Sequence, residues 1–220
     1  MKTLLIASGT LAAMSGAGAA QEVTLRVQHF LSADAPIQKG VLEPWEKAVE
    51  EQSGGRIDVV FNNAGIPLGG SLLENSAEEI ERCLDINLKG VLFGAQAALP
   101  HLRKTAPGSC LLNTASAAGI YGTSGASVYS ATKFGVRALT ESLDGEWAAE
   151  GIKVRSIMPS FIDTPLLDML PNAQSNEAVR DKVKAAGLEI TPVADVAEAA
   201  WDAVHGDRLH TVVGQTAKRA

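Results

Sequence analysis

The chain has 220 residues, 46% of them hydrophobic and 20% charged, which suits one globular domain with a sizeable buried core. A formal net charge of -6 and the absence of any long Lys/Arg cluster argue against nucleic acid, leaving a small molecule as the expected partner. Cys83 and Cys110 stand apart without ligand or disulfide spacing, and His29, His101, His205 and His210 are scattered, so no metal site is expected and both thiols are expected to pack in the core.

Residues 1 to 20 carry one lysine, an apolar run from Thr3 to Met14 and an Ala17-Gly18-Ala19 ending. That is the layout of a secretory signal peptide, too short to span a bilayer, so no membrane insertion is expected. A rival reading makes Leu4 to Ala7 a first strand before a nucleotide-binding loop, but Gly9, Gly16 and Gly18 do not fall into Gly-x-x-x-Gly-x-Gly or Gly-x-Gly-x-x-Gly. Val23 to Phe30 alternates apolar and polar residues as a strand does, and Pro36 opens a helix reaching Glu51, bent at Pro44 and stopped by Gly54-Gly55. Ile57 to Phe61 is a near-continuous apolar strand of the kind buried in a parallel sheet. The stretch from Met1 to Ile57, with Glu22-Val-Thr-Leu-Arg-Val-Gln-His-Phe-Leu-Ser32, Pro44-Trp45 and Glu50-Glu-Gln-Ser-Gly-Gly-Arg56-Ile57, resembles the N-terminus of periplasmic substrate-binding proteins of tripartite ATP-independent (TRAP) transporters. The likeness ends near Asp58.

From there the signals change. Asn62-Asn63-Ala64-Gly65 follows a buried strand directly, where a parallel sheet presents its carboxyl ends to ligand and small residues let a nucleotide approach the backbone. Ser76 and Glu79 form a capping box that opens a helix through Asn87 to about Lys104, and its Gly90, Gly94, Ala95, Ala98 face suits close packing against the sheet or another subunit. Cys110 to Thr114 is the next buried strand, with Ser116 just past its end. A helix carrying Tyr129 and Lys133 runs to about Glu150, closed by Gly151, and Ile152 to Met158 forms a further strand. An irregular stretch from Pro159 to about Asn176 can cover a site, and the segment from Leu166 to Ala186 is expected to set substrate choice. Thr191-Pro192 starts a helix to about His205 with proline at its first position, and His210 to Val213 is a last short strand.

Tyr129 and Lys133 are four apart on one helix and share a face, so the ammonium can stand beside the phenol and favour its ionised form. A cation at ~4 Å with an effective dielectric of ~20 contributes about 4 kcal/mol, enough to carry a phenol of pKa near 10 toward neutral pH before desolvation is subtracted. Such a phenol is a proton donor and acceptor.

Over residues 58 to 214 the chain resembles the short-chain dehydrogenase/reductase family, on five motifs in order: Asn62-Asn-Ala-Gly65, Asn87 in Asp-Ile-Asn-Leu-Lys-Gly, Ser116 in Asn-Thr-Ala-Ser-Ala-Ala-Gly, Tyr129-x-x-x-Lys133, and Pro159 with Thr164. The resemblance implies an α/β fold, a Rossmann-like open parallel sheet with helices on both faces, and an NAD(P)-dependent oxidoreductase that uses NAD or NADP to interconvert an alcohol and a carbonyl. Carried over, Tyr129 gives or takes the substrate proton, Ser116 hydrogen-bonds the carbonyl oxygen, Lys133 lowers the phenol pKa and holds the nicotinamide ribose, and Asn87 holds a water in the proton relay. Asn62, Asn63, Ala64, Gly65, Tyr129, Lys133, Pro159 and Thr164 then form the cofactor edge, with Thr164 on the carboxamide. Ser160 stands where the family usually has glycine. A homo-oligomer formed through helices 87 to 104 and 129 to 150 is likewise implied by resemblance.

Upstream the chain departs from that pattern: His29 to Pro36, with Asp34, fills the place of the glycine turn that cradles the pyrophosphate. The expected layout is therefore a signal-like segment 1–20 and a single α/β domain 21–220, in which a foreign βα unit 21–57 precedes the core 58–214. Its N-terminal half is shortened or replaced, giving about five parallel strands with Val23 to Phe30 beside Ile57 to Phe61. Cofactor affinity is expected to suffer, and two other readings stand beside the enzyme: a non-catalytic binding protein or inactive remnant, and a small-ligand carrier. A cytoplasmic location follows from the cofactor, a periplasmic or secreted one from the first twenty residues.

Overall fold

The computed structural model describes residues 58 to 218, so the signal-like segment, the strand from Val23 to Phe30 and the helix 36–51 lie outside the described residues. Four parallel strands, β1 (Val59–Asn62), β2 (Cys110–Thr114), β3 (Lys153–Pro159) and β4 (His210–Val213), pair in sequence order. Parallel neighbours demand long crossovers. Those crossovers contain α1 (Ala77–Leu84), α2 (Gly90–Thr105), α3 (Ser127–Trp147), α4 (Val179–Ala185) and α5 (Val193–His205), with α6 (Gln215–Lys218) after β4. The fifth strand of the expected sheet falls on residues outside those described, and the described sheet has four.

Side chains of successive strand residues point to opposite faces, and both faces are apolar here. On one face Val60, Leu111 and Val154 meet Ala95, Ala98 and Leu102 of α2 and Trp147 at the end of α3; Val91, Val136 and Met158 extend that layer. On the other face Cys110, Leu112 and Ile157 meet Ala200, Ala203 and Val204 of α5. Fully burying one such aliphatic side chain is worth about 1.5–3 kcal/mol, so the three-layer sandwich rests on these two interfaces. The small residues of α2 do pack on the sheet: Gly90, Gly94, Ala95 and Ala98 are all buried. Cys83 and Cys110 are buried free thiols. Among the described residues no helix is long and apolar enough to cross a membrane.

Three expectations are corrected. The helix foreseen from Ser76 to Lys104 is interrupted at Asp85–Lys89 by a π turn, in which the Gly90 N–H reaches back to the Asp85 carbonyl. The stretch after Pro159 is not irregular throughout. It contains a 3-10 turn at Pro165–Asp168, the loop expected from Leu166 to Ala186 contains the helix α4, whose Val183 is buried at 3% exposure, and an isolated parallel bridge between Ile162 and Thr191 closes the base of the excursion. Pro192 is the N-cap of α5 and not its first helical residue, because its ψ of 145° is still extended. By contrast α3 ends as expected, through a 3-10 turn onto Gly151 at φ 71°, a left-handed position that glycine takes without a Cβ penalty.

Candidate active site

Every expected site residue lies at or beyond the carboxyl ends of β1, β2 and β3, or on α3 and the π turn beside them. A buried polar chain holds α3 against the sheet. The Asn62 side-chain N–H donates to Asn113 Oδ1 (3.1 Å) and to the Val91 carbonyl (3.1 Å), while the Asn113 amide donates to the Thr140 hydroxyl (3.0 Å), which donates in turn to the Val136 carbonyl (2.8 Å). The side-chain amide nitrogen of Asn62 is thus spent on the scaffold, while its Oδ1 is buried without a partner among the described residues. Gly119, in the short turn after Ser116, backs directly onto α3: a Cβ there would stand 2.7 Å from the Lys133 carbonyl oxygen. This close approach brings Ser116 to Tyr129.

Ser116 does two jobs. Its hydroxyl accepts from the Ala118 N–H (3.2 Å), capping the turn Ala117–Gly119, and it favours ionisation of the Tyr129 phenol. It also leans on the Pro159 carbonyl at 3.4 Å. Burial pushes the Tyr129 phenol above its ordinary value, the Ser116 hydroxyl pulls it back, and the neighbouring Cys83 pushes it up. The expected lowering of the phenol by Lys133 is therefore absent in this state. The reason is geometric: Lys133 Nζ donates to the Thr114 carbonyl (3.0 Å) and sits 5.6 Å from the centre of the Tyr129 ring, over its face. Lys133 is itself 3% exposed, and burial pulls its ammonium down to about 8.

Asn87, fully buried in the π turn, uses its side-chain amide as a peptide unit would: Oδ1 accepts from the Ile66 N–H (2.8 Å) and Nδ2 donates to the Ile66 carbonyl (2.9 Å) and toward Cys83 Sγ (3.4 Å). Gly65 completes this corner. A Cβ there would lie 3.4 Å from Asn87 Oδ1 and 3.5 Å from Lys133 Nζ. Asn63 is tied back to β2 by accepting from the Thr114 hydroxyl at 2.7 Å, and Ala64 is partly exposed between them. The structure thus gathers Gly65, Asn87, Ser116, Tyr129, Lys133 and Pro159 into one corner.

Thr164 stands on the excursion after β3, its hydroxyl donating weakly to the Ile162 carbonyl at 3.4 Å. Ser160 turns its hydroxyl toward Gly214, where an added Cβ would overlap it and lie 2.7 Å from the Thr191 hydroxyl. Gly214 has φ +89°, so that position excludes a side chain twice over. The serine that replaces the family's glycine is accommodated there, although both hydroxyl oxygens are buried without a partner among the described residues.

The excursion folds back onto the loops that follow β1 and onto α1. The Gly69 N–H donates to the Pro171 carbonyl (2.9 Å), Asn172 Nδ2 to the Gly69 carbonyl (2.9 Å), the Gly70 N–H to the Gly125 carbonyl (2.8 Å) and the Ala173 N–H to Glu79 (2.7 Å). Thr114, Asn113, Asn172 and Arg180 were not foreseen from sequence. Asn113 was findable, as an amide inside the otherwise apolar strand Cys-Leu-Leu-Asn-Thr; the side chains of Thr114, Asn172 and Arg180 meet partners 12 to 103 positions away, at spacings that leave no pattern.

The donor set is also suited to a nicotinamide ribose. Lys133 is a buried cation with no carboxylate beside it among the described residues, and its one hydrogen bond there goes to a backbone carbonyl, so further acceptors such as hydroxyls would complete it. Among the described residues no group of three or more His, Cys, Asp or Glu gathers as a metal site.

Comparison with known proteins agrees in kind. A family model described as short chain dehydrogenase matches residues 6–175. A meso-2,3-butanediol dehydrogenase of Serratia marcescens is 38% identical over 128 residues, covering 58% of this chain and 48% of that protein. An uncharacterized oxidoreductase of Staphylococcus epidermidis is 38% identical over 138 residues, covering 63% and 59%. The chain thus spans about half the length of these curated relatives. Among solved structures, a short chain dehydrogenase/reductase of Burkholderia phymatum in complex with NAD superposes with a TM-score of 0.65 at 27% identity, covering 77% of this chain and 65% of that one. A short chain dehydrogenase of Burkholderia cenocepacia in complex with NADP, at 22% identity and TM-score 0.62 over 74% and 62% of the two chains, shares the fold.

Proposed function

Since the chain belongs to the short-chain dehydrogenase family, we propose that it is an NAD(P)-dependent oxidoreductase interconverting a small alcohol and its carbonyl, with Tyr129 as general acid and base. The observation that carries this is the gathering of Ser116, Tyr129 and the buried Lys133 in one corner, with Lys133 Nζ 5.6 Å from the centre of the Tyr129 ring. The chemistry the nicotinamide supplies when bound is hydride exchange at the substrate carbon. The protein's task is then the oxygen. Negative charge grows there during reduction, and Ser116 and Tyr129 bring two hydroxyls to meet it, Ser116 turning its donor from the Pro159 carbonyl to the substrate oxygen. Tyr129 then gives its proton to that oxygen, and takes it back in the oxidative direction. Lys133 would hold the ribose hydroxyls, and its ammonium, which does not lower the phenol from its ligand-free place against the Thr114 carbonyl, would favour the phenolate once the ribose is bound beside it. With both side-chain atoms of Asn87 engaged by Ile66, a relay water is held by its main-chain carbonyl within the π turn. Gly65 and Pro159 bound the nicotinamide end, and Thr164 takes the carboxamide.

The family match reaches back to residue 6, and within it residues 21–57 stand as a foreign βα unit in place of the pyrophosphate-binding half. Loss of several charge-assisted hydrogen bonds at about 1.5–3 kcal/mol each then weakens micromolar binding toward millimolar. A homo-oligomer through α2 and α3 and a cytoplasmic location belong to the same reading; a mature N-terminus lacking about the first twenty residues would move the protein outside. Titration with NADH and NADPH, followed by melting temperature, tests the whole. Bound cofactor should raise the melting temperature, and Tyr129→Phe should keep that rise while losing turnover by about a hundredfold or more. No rise at millimolar NADH or NADPH would sink the proposal.

A further inference from the structure

Arg180, on the first turn of α4, reaches back across the loop that carries Thr164. Its Nη1 donates to Asp163 (2.7 Å), its Nε to Asp168 (2.5 Å) and its Nη2 to the Thr164 carbonyl (3.2 Å). One guanidinium therefore binds residues on both sides of Thr164-Pro165, and its side chain is 21% exposed against 62% and 59% for the two aspartates. Without it two carboxylates five positions apart in a tight turn would repel each other, and the Thr164 carbonyl would lose its side-chain donor. Lysine substitutes only in part, because an ammonium carries the charge but lacks the planar fork that spans three acceptors. The far end of the same excursion is fixed separately, by Asn172 on Gly69, so Arg180 governs the near end.

We propose that Arg180 is a positioning residue for the cofactor: it holds Asp163, Thr164 and Asp168 in one ordered turn so that Thr164 is presented to the carboxamide. This rests on the assignment of Thr164 in the proposed function. It acts on binding and not on the proton transfer, which is the work of Ser116 and Tyr129 on other elements.

The full chain is compared with Arg180→Gln, Arg180→Lys and Asp168→Asn, measuring the KM for cofactor, kcat, and the rate of chymotrypsin cleavage at Leu166 to Leu170. Arg180→Gln should raise the cofactor KM about fivefold, the scale of a mostly exposed ion-pair network, with kcat changed less than about twofold. Arg180→Lys should fall between it and the parent, Asp168→Asn should shift KM less in the same direction, and cleavage should accelerate in the order of the KM changes. An unchanged KM in folded Arg180→Gln, or a fall in kcat with KM preserved, overturns the inference. If the parent chain binds neither NADH nor NADPH, the proposed function itself fails. The cleavage rates then decide the turn alone: equal rates in parent and Arg180→Gln overturn the ordering as well.

Discussion

Lys133 is an ammonium held in the interior with only a backbone carbonyl of Thr114 as its hydrogen-bond partner among the described residues. Its pKa of about 8 in the fold lies below the ordinary 10.5 of an unfolded lysine. Between those values the unfolded chain carries the extra proton, so raising the pH through that window removes a penalty from the folded state and stability increases. At pH 8 and below the penalty is present in full; above 10.5 it is gone. The expected size is on the order of 3 kcal/mol. Urea denaturation of the ligand-free protein at pH 8 and at pH 10, compared with Lys133→Met, checks it: the parent should gain relative to the variant, and parallel behaviour would refute the assignment. That Tyr129 and Lys133 share a helix face was legible in the sequence. The direction of the Lys133 side chain was not, because it is decided by a carbonyl on β2, which is chemically the same at every residue.

At the scale of elements, α3 delivers two of the reacting groups and its seating is set by the absence of one methyl group. Gly119→Ala would drive a Cβ to 2.7 Å from the Lys133 carbonyl, in helix backbone that cannot rotate away. The expected cost is about 1–3 kcal/mol in denaturant unfolding, with turnover falling further than stability, because shifting α3 separates Ser116 from Tyr129. Equal turnover in a folded Gly119→Ala protein would contradict this. The elements themselves were largely legible: Cys110 to Thr114 and His210 to Val213 have the bounds the apolar runs suggested, and Gly151 marks the end of the Tyr129 helix. The π turn at Asp85–Lys89 was not, since one widened hydrogen-bonded turn leaves the apolar spacing nearly intact. Helix α4 was missed because a seven-residue helix with one buried residue, Val183, carries too little periodicity to distinguish from a loop.

Across the molecule, three loops from different crossovers are stitched together at Gly69, Gly70, Gly125, Pro171 and Asn172. Asn172 is the knot: its amide donates to the Gly69 carbonyl, its Oδ1 accepts from the Gln174 N–H and the Ser175 hydroxyl, and it is 7% exposed. Asn172→Ala should free the cover, costing about 1–3 kcal/mol locally through unsatisfied groups. Hydrogen exchange at the Gly69 amide should accelerate by tenfold or more while core strands stay protected, and uniform exchange would refute a local role. These stitches also fix when the site comes into being. Ser116, Thr164, Gly65 and Tyr129 are assembled only after three successive crossovers have closed, each a non-local step whose entropy is lost before its contacts form. Helices can form early and locally, so a refolding chain regains its circular dichroism first and its chemistry last.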